Sequence, residues 1–213
     1  MRTLLLALAL TAAAPVAFPQ TPVSREQALA ALESPDAARR AVGIVWLANR
    51  GTAADDSLLH ERLRDESAFV RSYAEQGLWL LWSRSGDAAI DAAMAHGTQE
   101  MQAGRHAEAI AIFSSVIARN PAFAEAWNKR ATVRYLAGNY RESLADCDEV
   151  LKRNPRHFGA LSGAGMVSLA LEQYTEAERW FRRALEVNPN MVGVELELLK
   201  LEERRKAKRG NSA

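Results

Sequence analysis

The side chains that most often carry catalysis are scarce in this chain, and their spacing does not bring them together. The histidines are His60, His96, His106 and His157. No two of them stand four residues apart, the spacing that binds a metal from one helical face, and no HExxH segment occurs. Cys147 is the one cysteine, so a Cys-x-x-Cys motif and an internal disulfide are both excluded. We interpret Cys147 as a small core residue rather than a nucleophile.

Carboxylate pairs and closely spaced glycines are the remaining candidates for chemistry. The pairs Asp55-Asp56 and Asp146/Asp148 fit helix capping and solvation better than acid–base catalysis. Gly163 and Gly165 form a Gly-x-Gly, but they lie inside a predicted helix rather than after a strand, which favours close packing over phosphate binding. The sequence therefore predicts a protein that is not an enzyme, without catalytic residues, metal ligands or a cofactor.

The overall charge favours no charged partner. Of the 213 residues, 25% are charged and 48% are hydrophobic, as in ordinary soluble domains. The formal net charge is +1, so no global field favours nucleic acid or an anionic membrane. The basic segment Arg204–Arg209 suits the end of a helix better than a nucleic-acid tail, because cations stabilise helix C-termini.

Residues 1–20 have the pattern of a secretory signal peptide. Arg2 supplies a positive charge, and Leu4–Ala14 is an apolar run interrupted only by Thr11. This run is too short to span a bilayer. We expect an exported mature protein, periplasmic if the source is Gram-negative, with no stable membrane insertion after signal cleavage. An uncleaved N-terminal anchor is the alternative.

The dipeptide Asn-Pro recurs at a fixed interval along the second half of the chain. Its prolines, Pro121, Pro155 and Pro189, lie 34 residues apart. A period of this length is typical of a helix-turn-helix repeat. Residues 87–191 are therefore predicted to hold three units. The units are Ile90–Phe123, Ala124–His157 and Phe158–Met191.

The middle unit shows two apolar stripes separated by a turn. Trp127, Ala131 and Tyr135 step by four and share one helical face. Gly138 then offers the left-handed conformation that ends a helix. The second stripe consists of Tyr140, Leu144, Cys147 and Leu151. Because the residue before a proline is pushed out of the helical region, Asn154 should lie outside the second helix.

These three units resemble the tetratricopeptide repeat family. The family's small residue in the first helix corresponds to Gly97, Ala131 and Gly165. Its alanine in the second helix corresponds to Ala109, Ser143 and Ala177, and the repeated prolines correspond to its terminal proline. The resemblance implies an all-α helical-hairpin solenoid whose stacked hairpins share one core, with a function in binding.

The chain departs from the family at two positions of the first helix. His96 and Arg130 occupy a position that is usually apolar. Glu100, Arg134 and Ser168 occupy one that is often a tyrosine. We expect these residues either to weaken the packing or to find partners in a second domain or a ligand.

Residues 21–86 do not show the 34-residue repeat, and we interpret them as HEAT-like helix pairs that precede the repeats. The segment Leu63–Arg71 resembles the turn of a HEAT repeat. Ser24 and Gln27 form a candidate capping box, and Pro35 is a candidate first residue of a helix. Further helices are predicted over Asp55–Leu63 and Ala68–Arg84.

Residues 192–213 are predicted to form a capping helix and a frayed tail. Val194, Leu198 and Leu201 form one apolar stripe, and the opposite face is expected to be polar. A solenoid needs such a polar end for solubility.

The segment Leu78–Trp82 is apolar almost all round, which is typical of a helix buried on more than one side. We interpret Trp79 and Trp82 as packing between the N-terminal helix pairs and the first repeat unit. The alternative is that one of these rings is exposed and anchors a partner.

In the family that the chain resembles, the first helix of each unit lines a concave groove that takes an extended peptide or a partner helix. By register, this inner groove would be lined by Met94, Thr98, Met101, Asn128, Thr132, Tyr135, Ser162, Met166 and Leu169. Its methionines suit adaptable binding. The alternative is that the chain's own N-terminal region or C-terminal helix fills the groove.

The resemblance also bears on the kind of partner. The family's carboxylate clamp needs Lys, Arg and Asn in the groove, and only Asn128 qualifies, so an acidic peptide C-terminus is not expected. The leading hypothesis is a non-enzymatic adaptor that binds an envelope protein or peptide. The alternative is a structural subunit of an envelope complex, or a protein that self-associates through Trp79 and Trp82.

Overall fold

The computed structural model describes residues 21–210, and the predicted signal peptide lies outside them. Over this range the chain forms eleven α-helices and one short 3₁₀ helix, and it has no strand. The α-helices are α1 Arg25–Leu32, α2 Ala37–Arg50, α3 Asp56–Arg62, α4 Ala68–Trp82, α5 Ala88–Gln102, α6 His106–Arg119, α7 Ala124–Leu136, α8 Tyr140–Arg153, α9 Phe158–Ala170, α10 Tyr174–Val187 and α11 Val192–Gly210. The 3₁₀ helix is Ala53–Asp55. The all-α fold predicted from the sequence is confirmed.

The three repeat units are helical hairpins, formed by α5 with α6, α7 with α8, and α9 with α10. Each first helix ends in a left-handed residue, and the next N–H donates to a carbonyl five residues back. Units one and two place Gly104 (φ 74°) and Gly138 (φ 78°) there, but unit three places Glu172 (φ 58°). Each second helix ends before its Asn-Pro, and Asn154 is already extended, as predicted.

Small residues set the distance between the two helices of a hairpin. A Cβ added to Gly97 would lie 2.7 Å from a ring carbon of Phe113, and a Cβ on Gly165 would overlap the ring of Phe181. The corresponding pair in unit two is Ala131 with Cys147, and both residues are buried. Each unit therefore combines a small residue on one helix with a side chain of matching size on the other.

The charged departures from the family pattern find partners inside the chain, whereas the buried hydroxyl of Ser168 has no hydrogen-bond partner among the described residues. Arg130 and Arg134 both donate to the buried carboxylate of Asp146, from which their nearest nitrogens lie 2.8 and 2.7 Å away. In unit one, Glu100 accepts from His96 and from Arg105. These charges close the hairpins to which they belong, so they need neither a second domain nor a ligand.

The N-terminal region consists of two helix pairs, α1 with α2 and α3 with α4, around a core that includes Ile44, Leu59 and Leu78. Ser24 caps α1 by accepting from the backbone N–H of Gln27, as predicted. The predicted start of α2 at Pro35 is wrong, because the side chain of Asp36 accepts from the N–H of Ala38 and caps the helix there.

The other predicted boundaries in this region shift by one or two residues. The third helix was expected over Asp55–Leu63, but Asp55 closes the 3₁₀ helix and α3 begins at Asp56. The fourth was expected to reach Arg84, but α4 ends at Trp82. The HEAT-like character of the region stays a prediction.

The N-terminal region folds back onto the edge of the repeats that carries the turns between units. Trp82 stacks on His157 with ring centres 4.3 Å apart, and Trp79 meets Phe158 edge to face at 5.2 Å. Gly159 admits the ring of Trp79, since any Cβ there would overlap it. The two tryptophans therefore pack where the second and third repeat units meet, and the predicted contact with the first unit is wrong.

The C-terminal helix α11 packs on α10 and continues the repeat register. Val194 and Leu201 are buried against the third unit, as the sequence predicted. The expectation of a polar outer face is wrong, because Val192, Leu196 and Leu199 are 65%, 52% and 50% exposed. Within the described residues, no helix is both long and apolar enough to cross a membrane.

Candidate functional site

The first helices of the units form the inner layer of the solenoid. They contact one another along the stack, α5 with α7 and α7 with α9, while each also packs on its own second helix. Repeat solenoids use such a layer as an extended concave binding surface. The nine residues predicted to line the inner groove all lie on these three helices.

These nine residues differ in how much surface they offer. Met94 and Asn128 are buried, so they support the groove from beneath. Thr132 and Met166 are exposed. The half-buried members are Thr98, Met101, Tyr135, Ser162 and Leu169. The surface available to a partner therefore centres on α7 and α9.

The threonine hydroxyls of the groove donate their protons to their own helices. Thr98 donates to the carbonyl of Met94 at 2.8 Å, and Thr132 to the carbonyl of Asn128 at 3.0 Å. Each hydroxyl oxygen keeps a lone pair, and each threonine keeps its methyl group for a partner. At these two positions the groove thus presents methyl groups and hydrogen-bond acceptors.

A buried carboxylate, that of Glu125, lies beside Asn128 of the groove. Glu125 lies at the start of α7 and accepts from Asn128 Nδ2 at 3.0 Å and from His157 Nε2 at 3.2 Å. His157 Nδ1 accepts from the backbone N–H of Ala160, which places the ring proton on Nε2. Lys129 Nζ lies 3.4 Å from the other oxygen of Glu125. Asn128, the one clamp-type residue of the groove, is therefore already engaged.

Two exposed leucines, one on α7 and one on α11, are absent from the predicted set. Leu136 is the last residue of α7 and follows Tyr135 directly. Leu196 on α11 lies 34 residues after Ser162 and so extends the same register. The 34-residue spacing was the available signal for Leu196, because it aligns α11 with the first helices of the three units.

The N-terminal region borders the groove without filling it. Glu75 of α4 and Met191 lie beside Ser162 and Met166 around a hollow of about 380 Å³. Residues 21–210 leave Thr132 and Met166 exposed. Within this range, the chain's own helices therefore leave the middle of the groove open.

A larger hollow of about 760 Å³ lies where the N-terminal region meets the inter-unit turns, and it is lined partly by charged residues. Asp56 accepts from Trp82 Nε1 at 2.7 Å and pairs with Arg156 at 2.8 Å. Burial raises the pKa of Asp56, but hydrogen bonds from His60 and Trp82, with the charges of His60 and Arg156, hold it below its usual value. These groups pair with one another across the junction. We therefore interpret the hollow as the boundary between the N-terminal region and the repeats.

The remaining candidate for chemistry is Cys147, which is buried between Ala131 and Ala164. Burial, and next the charges of Asp146 and Asp148, raise the pKa of its thiol to about 12. The thiolate is therefore not formed near neutral pH. In the described part of the chain, no cluster of three or more His, Cys, Asp or Glu side chains could hold a metal.

Stacked helical hairpins with an open inner face define the class of solenoid binding proteins. The model of the family described as "Tetratricopeptide repeat" matches residues 94–149 and 129–191. A tetratricopeptide repeat-containing protein of Rhizobium etli is 34% identical over 135 residues, which are 63% of this chain and 66% of that protein. The match thus spans slightly less than two thirds of the relative. Residues 94–191 of this chain therefore match the tetratricopeptide repeat family.

Solved structures show the same fold at low sequence identity. The first tetratricopeptide domain of human RPAP3 superposes with a TM-score of 0.54 at 22% identity, covering 57% of this chain and 95% of that domain. The Sgt2 domain of Aspergillus fumigatus gives 0.54 at 18% identity, with coverages of 60% and 84%. The TPR2B domain of yeast Sti1, solved as a complex with pHsp70, gives 0.52 at 18%, with coverages of 55% and 99%.

Proposed function

We propose that this protein is a non-enzymatic binding module that takes a protein or peptide partner in the inner groove. The observation that carries the proposal is that Thr132 and Met166, on two adjacent first helices, are exposed beside the half-buried Tyr135. Apolar side chains exposed in a concave surface mark sites of macromolecular contact. The repeat family consists of protein-interaction modules, which agrees with this function.

The chemistry of the groove narrows the class of partner. Its methyl, thioether and aromatic groups suit apolar side chains, and its hydroxyl oxygens accept hydrogen bonds from a partner's N–H groups. Asn128 is bonded to Glu125, and the nine groove residues include no Lys or Arg. The partner we propose is an extended or helical segment with apolar side chains. It is not an acidic C-terminal peptide.

The proposed place of action is the cell envelope. This part of the proposal rests on the signal-peptide pattern of residues 1–20, with Arg2 before the apolar run Leu4–Ala14. The partner would then be another exported protein. Fractionation of the source cells tests this directly: we expect a shortened chain in the exported fraction, and a full-length chain in the cytosol would contradict export.

The alternative of self-association through Trp79 and Trp82 is disfavoured by their positions. Both rings pack on His157 and Phe158 within the chain. To reach a second copy they would have to leave these contacts and uncover the N-terminal core. The aromatic pair therefore serves the junction between the N-terminal region and the repeats.

Co-purification with matched variants tests the groove. The double variant Tyr135→Ala with Met166→Ala removes surface side chains, so we expect it to lose most of a partner retained by the wild type from the exported fraction. The control is Val45→Ala with Phe69→Ala, which truncates exposed apolar side chains of the N-terminal region. Equal retention by both variants would contradict groove binding. Loss of the helical circular-dichroism signal in the groove variant alone would show that its residues are core.

A further inference from the structure

We propose that the partner in the inner groove carries a basic side chain, which enters the hollow between α4, α9 and α11 and pairs with Glu75. This inference rests on the proposed function, because it concerns the partner of the same groove. It adds the N-terminal region to the binding site, since Glu75 lies on α4. The same hollow is lined by Ser162 and Met166 of the groove and by Met191.

Hydrogen bonds to the end of the third unit hold the N-terminal region beside this part of the groove. Arg71 Nε donates to the side-chain oxygen of Asn190 at 2.9 Å, and Asn190 Nδ2 donates to the carbonyl of Leu63 at 2.8 Å. Glu75 lies four residues after Arg71, and therefore on the same face of α4. These bonds place Glu75 beside the groove before a partner arrives, which lowers the cost of binding.

The carboxylate of Glu75 lacks a partner within the chain. Among residues 21–207, no basic side chain and no hydrogen-bond donor pairs with it, although the residue is half-buried. Glu197 is the other charged residue of the hollow, and it pairs with Lys200 at 2.7 Å. The side chain of Lys200 is 68% exposed and does not line the hollow. The described part of the chain thus places negative charge in this hollow and no cation.

A partner with only apolar side chains would bury this carboxylate without compensation. A segment that fills the hollow removes the water that still reaches Glu75. Burial of an unpaired charge opposes binding, whereas a basic side chain supplies the missing pair. The thioether side chains of Met166 and Met191 line the hollow and suit the methylene stem of a lysine or arginine. The groove therefore selects its partner by charge as well as by apolar surface.

Removing the charge of Glu75 tests the pairing. Glu75→Gln keeps the size of the side chain, so we expect an unchanged thermal unfolding midpoint and about a tenfold loss of affinity for the partner that the wild type retains from the exported fraction. Glu26→Gln is the matched control, because Glu26 is exposed on α1, a helix that packs on α2. Wild-type affinity in Glu75→Gln, a lowered midpoint, or an equal loss in the control overturns the proposal.

Charge reversal and salt identify the sign of the partner's group. Glu75→Lys should bind the partner more weakly than Glu75→Gln, because like charges repel. Added NaCl should weaken binding by the wild type more than binding by Glu75→Gln, since salt screens the pair. Equal affinities of the two variants, or the same salt dependence in wild type and Glu75→Gln, would show that an uncharged group meets Glu75 and would overturn the proposal.

The groove variant separates this inference from the proposed function. If Tyr135→Ala with Met166→Ala loses the partner while Glu75→Gln retains it, the groove binds the partner and the basic side chain is wrong. If neither variant changes the retention of the partner, the partner binds elsewhere on the protein and both proposals fail.

Discussion

The outer repeat units and the middle unit build the same hairpin with different chemistry. Units one and three close on phenylalanine rings, Phe113 and Phe181, set directly against the glycines Gly97 and Gly165. Unit two has the smaller pair of Ala131 and Cys147. It adds a buried carboxylate, Asp146, that is held by two arginines of the facing helix.

The difference teaches that shape and charge can substitute for each other in holding two helices together. In the outer units, a glycine on one helix leaves room for a phenylalanine ring of the other helix, and this fit supplies the contact. In unit two the apolar filling is smaller, and the hydrogen bonds of Arg130 and Arg134 to Asp146 supplement it. Four predictions test this division, and they are ordered by expected effect.

Removing the carboxylate of unit two should cost the most. Asp146 is 3% exposed at its side chain, so Asp146→Ala leaves two partly buried arginines without their anion. We expect a loss of about 3 kcal/mol in the free energy of unfolding. Chemical denaturation measures it, with Asp148→Ala as a control because Asp148 is exposed. A loss no larger than that of the control would mean that charge does not hold unit two.

Giving unit two the glycine–phenylalanine pair of the outer units tests the difference between the units most sharply. Cys147→Phe should lose about 2–3 kcal/mol, because Ala131 leaves no space for a ring. Adding Ala131→Gly should recover at least half of that loss, although glycine alone costs about 1 kcal/mol in a helix. The coupling from a double-mutant cycle is the measured quantity. Additive losses would show that the glycine–phenylalanine pairing is not interchangeable.

The glycines of α9 allow a test within one helix. Gly165→Ala places a methyl group inside the Phe181 ring and should cost about 2 kcal/mol. Gly163→Ala should instead stabilise by up to about 1 kcal/mol, because its Cβ would meet Cys147 Sγ at an ordinary 3.6 Å. Thermal melts of the two variants should therefore shift in opposite directions. Equal shifts would show that the close fit of Gly165 to Phe181 does not stabilise the hairpin.

The smallest effect concerns the turn of unit three. Glu172 adopts a left-handed backbone, with φ 58°, where units one and two have glycine. Glu172→Gly should stabilise the protein by about 1 kcal/mol, because glycine takes this conformation without steric cost. The matched change Gln173→Gly, at an ordinary backbone angle, should instead be neutral or destabilising. Destabilisation by Glu172→Gly would mean that the glutamate side chain stabilises the fold by more than the backbone strain at this position destabilises it.

Much of the fold could be predicted because residues within each repeat mark the ends of its helices. The Asn-Pro dipeptides and the two turn glycines, Gly104 and Gly138, mark helix ends through backbone conformations that few other residues favour. Glu172 carries no such signal, since its left-handed conformation is imposed by the hairpin around it. Pro35 was a misleading signal, because Asp36 offered a better cap.

The arrangement of the N-terminal region could not be predicted, since it depends on contacts between residues far apart in the chain. The indole of Trp79 meets Gly159, eighty positions later, and nothing in either local pattern pairs them. For the candidate site, the register placed residues on the correct helices. Whether a side chain is exposed depends on packing depth, so the burial of Met94 and Asn128 emerged only from the structure.

Photo-crosslinking inside cells tests most directly whether the inner groove takes a partner. A photoreactive residue at Tyr135 faces the groove, and one at Phe69 serves as an exposed control on the N-terminal region. We expect one recurrent protein crosslinked from position 135, not from 69, and lost when Met166→Ala is added. Crosslinks from position 135 only to residues 21–86 or 191–213 of the same chain would show a self-filled groove and contradict the claim.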